Sequence, residues 1–155
     1  SPRDVQRRVY RTQIQTAKQL QMPIIIHDRD SDGETLDILD EEDAWGGCGV
    51  VVHCFTGDVP TMQRIVASGG YISIPGIVTF KNAAVMRDVA SQVPLDRVFI
   101  ETDSPFLTPV PHRGKRNEPA RVGLVAEKLA ELRGMTADAV AQLTSDNARQ
   151  FFRID

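Results

Sequence analysis

The chain has 155 residues, 41% of them hydrophobic and 25% charged, with a formal net charge of −3. That length and balance suit one globular domain with a buried core and exclude a disordered or low-complexity chain. No apolar run approaches the ~18 residues needed to span a bilayer. The slight acidity gives nucleic acid no global attraction, so any polyanion contact must come from a local patch.

In chain order, Ser1-Pro2 reads as a helix cap followed by a proline at the first helical position. The polar stretch SPRDVQRRVYRTQ predicts no secretory leader. The opening helix places Val5, Val9, Ile14, Ala17 and Leu20 near one face at a 3.6-residue period. MPIIIH then reads as a buried strand, followed by a helix around Thr35 to Leu39. CGVVVHCF is the second strand, and its helix carries Met62, Ile65 and Val66. GGYISI is the third, followed by the helix NAAVMRDVASQV, and RVFIETD is the fourth. A proline-bearing loop over 104–119 leads to a helix with Val122, Val125, Leu129 and Leu132 on one face. The last helix is capped by Thr136 and carries Val140, Leu143, Phe151 and Phe152. Continuous apolar strands alternating with amphipathic helices predict an α/β fold with a parallel, helix-covered sheet.

Three of the four strands finish on a side chain able to bind a ligand: His27, His53, and the pair Glu101 and Asp103. A single strand-end histidine reads as a rim residue bonded to backbone. Three such ends on one face read as a site, because parallel α/β folds bind ligands at the carboxyl ends of their strands. Two imidazoles with a carboxylate suit a borderline divalent metal such as zinc, manganese or nickel. Strand alternation puts Glu101 and Asp103 on the same side. Asp103, the more terminal, is the expected metal ligand and the group that orients or deprotonates water. Glu101 is expected to stand behind it, holding a ligand or the loop backbone.

The loop PVPHRGKRNEPA places His112, Arg113, Lys115 and Arg116 directly after ETDSP. By charge alone it is a solvated basic loop; by position its guanidinium and ammonium groups are candidates to clamp phosphate oxygens. Asn117 and Glu118 either bind substrate or cap the helix that begins near Pro119. The two cysteines, Cys48 and Cys54, lie six apart across a predicted strand and form no C-x-x-C pair, which favours a reducing cytoplasm. Cys54 reads as a small buried hydrophobe beside a ligand rather than as a soft ligand.

The segments PIIIHDRD, VVVHCFTG, GYISIPGIVTF, VPLDRVFIETDSPFLTPVPHRGKRNEPA and TSDNARQFF resemble the TatD-type metal-dependent deoxyribonucleases, over nearly the whole chain. Those are (β/α)8 TIM-barrel hydrolases of the amidohydrolase type. The resemblance implies that His27 and His53 hold one metal, and that Asp103 binds a second and contacts the nucleophilic water. It also implies a two-metal hydrolysis of phosphodiesters that acts on DNA, single-stranded or at its ends, by 3′–5′ exonuclease-like trimming with zinc, manganese, nickel or magnesium.

The sequence departs from the family pattern in its front half. It has three histidines, His27, His53 and His112, so the family's H-x-H pair is absent, as is its GE-x-GLD-like segment. The chain is therefore expected to match strands five to eight, the second half of the barrel, as one domain over 1–155. Its expected partners are DNA and either the missing N-terminal half or a second copy, with no membrane. Two other readings stand beside the nuclease: a half-barrel acting only as an assembly piece, and a hydrolase of a small amide or lactone.

Overall fold

Four apolar runs rich in β-branched and aromatic residues become four parallel strands. The computed structural model describes residues 1–31, 33–47 and 49–154. In chain order the elements are α1 (Arg3–Leu20), β1 (Ile24–His27), α2 (Glu34–Glu41), β2 (Val50–His53), α3 (Val59–Ala67) and β3 (Tyr71–Ile74). They continue with α4 (Ala84–Gln92), β4 (Val98–Ile100), α5 (Val122–Arg133) and α6 (Ala137–Phe152). The sheet order is β1-β2-β3-β4, all parallel, so β1 and β4 are its edges.

The two faces of the sheet differ. Ile26, Val50, Val52, Ile72, Ile74 and Val98 meet Ile14, Leu39, Met62, Ile65, Val89 and Leu129 of the helices in one large apolar core. The alternate positions Val51, Tyr71 and Phe99 pack on the other face with Phe151 of α6. There Tyr71 and Phe99 stack at 5.0 Å and Phe151 meets both edge-on. A Cβ at Gly49, just before β2, would lie 3.0 Å from the Phe151 ring. This aromatic layer is therefore the floor beneath the strands' carboxyl ends.

Several expectations change. Pro2 occupies the cap position of α1, one residue before the first helical residue, and no side chain caps there. On α1 only Ile14 is fully buried, with Tyr10 packed beside the core; Val9 and Leu20 are exposed. Val5 and Val9 instead line a groove of about 660 Å³ shared with Ile25 and His27 of β1. Ile25 is 60% exposed, for it points from an edge strand outside the cluster that Phe151 of α6 makes with Val51, Tyr71 and Phe99. The fourth strand ends at Ile100, so strand alternation does not carry Asp103, whose φ is +53°.

On α6 the buried face includes Thr144 and Asn147 as well as Val140 and Phe151, while Leu143 is half-buried. Asn147 Nδ2 donates to the carbonyls of Leu95 at 2.7 Å and Val98 at 2.9 Å, fastening α6 to the start of β4. The Thr136 hydroxyl accepts the Ala139 N–H, as a cap should. Cys48 lies outside the described residues; Cys54 is free and half-buried. No helix among the described residues is long and apolar enough to cross a membrane.

Candidate metal centre

β1 and β2 pair in register so that their last residues, His27 and His53, stand side by side. Their ring centroids are 5.7 Å apart. Both lie on the face that carries Ile25 and Val51, above the aromatic floor. The backbone of Glu101 continues the ladder past β4, its N–H donating to Ile74 O at 3.1 Å. This delivers the Glu101 carboxylate to β2: the Nδ1–H of His53 donates to Glu101 Oε2 at 2.8 Å. The same oxygen accepts the Ser73 hydroxyl and, at 3.3 Å, the Cys54 N–H.

Because Nδ1 is committed to Glu101, Nε2 is the free face of His53. It lies 3.6 Å from Asp103 Oδ1. Asp103 arrives there through a left-handed backbone turn, which an aspartate tolerates better than most residues. The structure thus brings His27, His53 and Asp103 to the same end of the sheet and puts Glu101 behind His53. One ligand atom each from His53, Cys54, Glu101 and Asp103 lies within 4.8 Å of the others; His27 stands outside that group.

The donor chemistry fits a divalent cation. One imidazole, two carboxylates and a sulfur form a borderline ligand set. Glu101 Oε1 is buried with no hydrogen bond among the described residues, an acceptor left over in a site of negative charge. Burial first, then the nearby Glu101 and Asp103 carboxylates, push the Cys54 thiol up to about 12, against a weaker opposing pull from Arg29. At neutral pH it is a protonated thiol, so a cation would have to displace its proton to use it.

The basic loop divides by role. The Arg113 guanidinium carbon lies over the Phe80 ring, 3.7 Å from its centroid, a cation–π contact made by an otherwise exposed side chain. Lys115 and Arg116 are exposed. Asn117 is buried, and its amide is spent on the loop itself: Nδ2 donates to Thr102 O at 2.8 Å and Phe106 O at 2.7 Å. Its Oδ1 accepts the Glu118 N–H at 2.9 Å. These bonds hold the loop, and the 3-10 turn Pro119–Arg121 has no side-chain cap, so the capping alternative is not the one Asn117 serves. Ser73 escaped the sequence reading. The signal was there, a serine inside the otherwise aromatic and aliphatic run YISI.

A family profile described as TatD related DNase matches residues 1–153. The chain is 48% identical over its full length to an uncharacterized metal-dependent hydrolase, YabD, of Bacillus subtilis, and covers 60% of that protein. It is 36% identical over 157 aligned positions to a Salmonella typhimurium protein named 3′-5′ ssDNA/RNA exonuclease TatD, covering 96% of this chain and 59% of that one. The crystal structure of YjjV, a TatD homologue from Escherichia coli K12, superposes with a TM-score of 0.84 at 31% identity. That match covers 92% of this chain and 54% of YjjV. The chain thus spans little more than half the length of these relatives. With the profile matched almost from end to end, the chain belongs to the TatD-related DNase family.

Proposed function

We propose that this chain is the second half, strands five to eight, of a (β/α)8 barrel that hydrolyses phosphodiesters at single-stranded DNA ends with divalent metal. The observation that carries this reading is the convergence of His53, Glu101 and Asp103 at the carboxyl ends of β2 and β4, across β3. The Salmonella relative's name supports a nucleic-acid substrate. The open β1 and β4 edges, and the share of each relative the chain covers, support a half-barrel.

A bound divalent cation supplies Lewis-acid polarisation of a phosphoryl oxygen. His53 would supply one imidazole nitrogen from the converging group, and His27, its ring centroid 5.7 Å from that of His53, would supply a second from beside it. Glu101 holds His53 by its Nδ1–H, so that Nε2 presents its lone pair. Asp103 orients the attacking water and takes its proton as the new P–O bond forms; the ester P–O bond breaks and the leaving oxygen is protonated from solvent. Arg113, over Phe80, and the exposed Lys115 and Arg116 hold the flanking phosphates.

The test pairs metal binding with hydrolysis. The chain is dialysed against Zn²⁺ or Mn²⁺, then offered a 3′-labelled single-stranded oligonucleotide, a phosphomonoester and a lactone. The expected result is metal-dependent cleavage of the oligonucleotide alone, weak without the rest of the barrel and abolished by a chelator. His53→Ala should weaken metal binding by at least about 10-fold. Unchanged metal binding in His53→Ala, or a lactone turned over faster than DNA, would overturn the reading.

A further inference from the structure

Ser73 is 4% exposed, on the inner face of β3 between Tyr71 and the site. A hydroxyl buried so deeply persists where it is fully bonded, and this one is. Its O–H donates to Glu101 Oε2, and its oxygen accepts the Cys54 N–H at 3.0 Å. The Ser73 carbonyl accepts the Phe55 N–H at 3.1 Å, so both its backbone and its side chain grip the turn that follows His53.

Three donors therefore meet on one carboxylate oxygen: the Ser73 hydroxyl, the Cys54 amide and the His53 Nδ1–H. Without the hydroxyl, the Glu101 side chain would be anchored only by a 3.3 Å amide contact and by the imidazole it is meant to orient. We propose that Ser73 is a positioning residue. Its hydroxyl fixes the Glu101 carboxylate, and Glu101 in turn fixes the tautomer and ring orientation of His53. The consequence for metal rests on the proposed function; the consequence for the tautomer does not.

The tautomer can be read directly. In the metal-free chain at about pH 8, where an ordinary imidazole is neutral, ¹⁵N spectra of the three histidines distinguish Nδ1–H from Nε2–H. His53 in the wild type should be the Nδ1–H form. Ser73→Ala should give a mixture and weaken Zn²⁺ binding by about 10-fold, while Ser73→Thr, which keeps the hydroxyl, should match the wild type in both. In a Glu101→Gln background Ser73→Ala should add nothing to either readout, since its effect passes through Glu101.

An unchanged His53 tautomer in Ser73→Ala would overturn the proposal. So would equal damage from Ser73→Thr and Ser73→Ala, or a full additional loss in the Glu101→Gln background. If the wild type binds no zinc while its tautomer still responds to Ser73→Ala, the metal reading fails and the positioning role stands.

Discussion

Asn117 reaches back fifteen positions to donate a hydrogen bond from Nδ2 to the Thr102 carbonyl at 2.8 Å. A buried amide thereby ties the far end of the basic loop to the turn that carries Asp103. Other holds on the loop act beside this tether: Pro109 is buried, and the Val110 N–H donates to Thr79 Oγ1 at 3.0 Å, while Phe106 is left exposed.

Replacing Asn117 should loosen the loop more than it perturbs the sheet. Asn117→Ala removes both Nδ2 donors and the Oδ1 acceptor, leaving two loop carbonyls unpaired; the expected loss is about 1–3 kcal/mol. Asn117→Asp should be at least as damaging, because a carboxylate cannot donate to those carbonyls. Urea unfolding gives the stability, and proteolysis within 104–116 should accelerate in both variants.

A second prediction concerns the segment after β3, where Gly76 lies directly against the returning loop. A Cβ there would run into the Leu107 carbonyl oxygen, and backbone cannot swing aside as a flexible side chain does. Gly76→Ala should push 105–109 away and destabilise the fold by about 1–3 kcal/mol. Gly123→Ala, on the open side of α5 with nothing within 4 Å, should be harmless or slightly stabilising. Thermal melts of the two proteins should move in different directions or by clearly different amounts.

The single tryptophan offers an acid probe. Trp45 Nε1 donates to Asp40 Oδ1 at 2.6 Å, and Arg64 bonds the other Asp40 oxygen at the same length. The Arg64 guanidinium first, then Trp45, hold the Asp40 carboxyl below the ordinary aspartate range. A depressed folded-state pKa adds stability that is fully present above the unfolded value, about 3.9, and lost as pH falls through the folded value. Because these groups are largely exposed, the contribution should be small and salt-screened. Trp45 fluorescence should therefore change at a lower pH than in Arg64→Ala, and the gap should narrow at high salt.

Self-association should follow from β1. Its outer hydrogen-bonding edge is unpaired, and Ile25 stands 60% exposed beside Val9 and the groove. Native sheets usually blunt such an edge with charge. Sedimentation of the isolated chain should show concentration-dependent dimers or larger species, and Ile25→Lys should shift it toward monomer. A wild-type chain that stays monomeric at high concentration would contradict this.

The strand-end logic was legible because it is periodic. His27 and His53 close two apolar runs of equal length, and in-register pairing follows from that. Glu101 behind His53 was legible in kind, since a carboxylate that deep needs a partner. Asp103 was found for the wrong geometric reason: its side chain reaches the site through a positive-φ turn, not by strand alternation. Ser73 was missed because a serine in an apolar strand is easily taken as filler until Glu101 is seen beside it. The cation–π contact of Arg113 with Phe80 joins residues 33 positions apart, and no local pattern announces such a contact. Val9 and Leu20 misled for the opposite reason, since periodicity shows a stripe without saying how much of it is covered.

The aromatic layer of Tyr71, Phe99 and Phe151 has a bearing on what a neighbour would have to cover. Its rings pack on one another at 5.0 to 5.3 Å, so this face of β2, β3 and β4 is filled from within the chain. β1 has no share in that layer, and its Ile25 stands 60% exposed on the same face. The bare apolar margin of the sheet is therefore narrow and lies at β1.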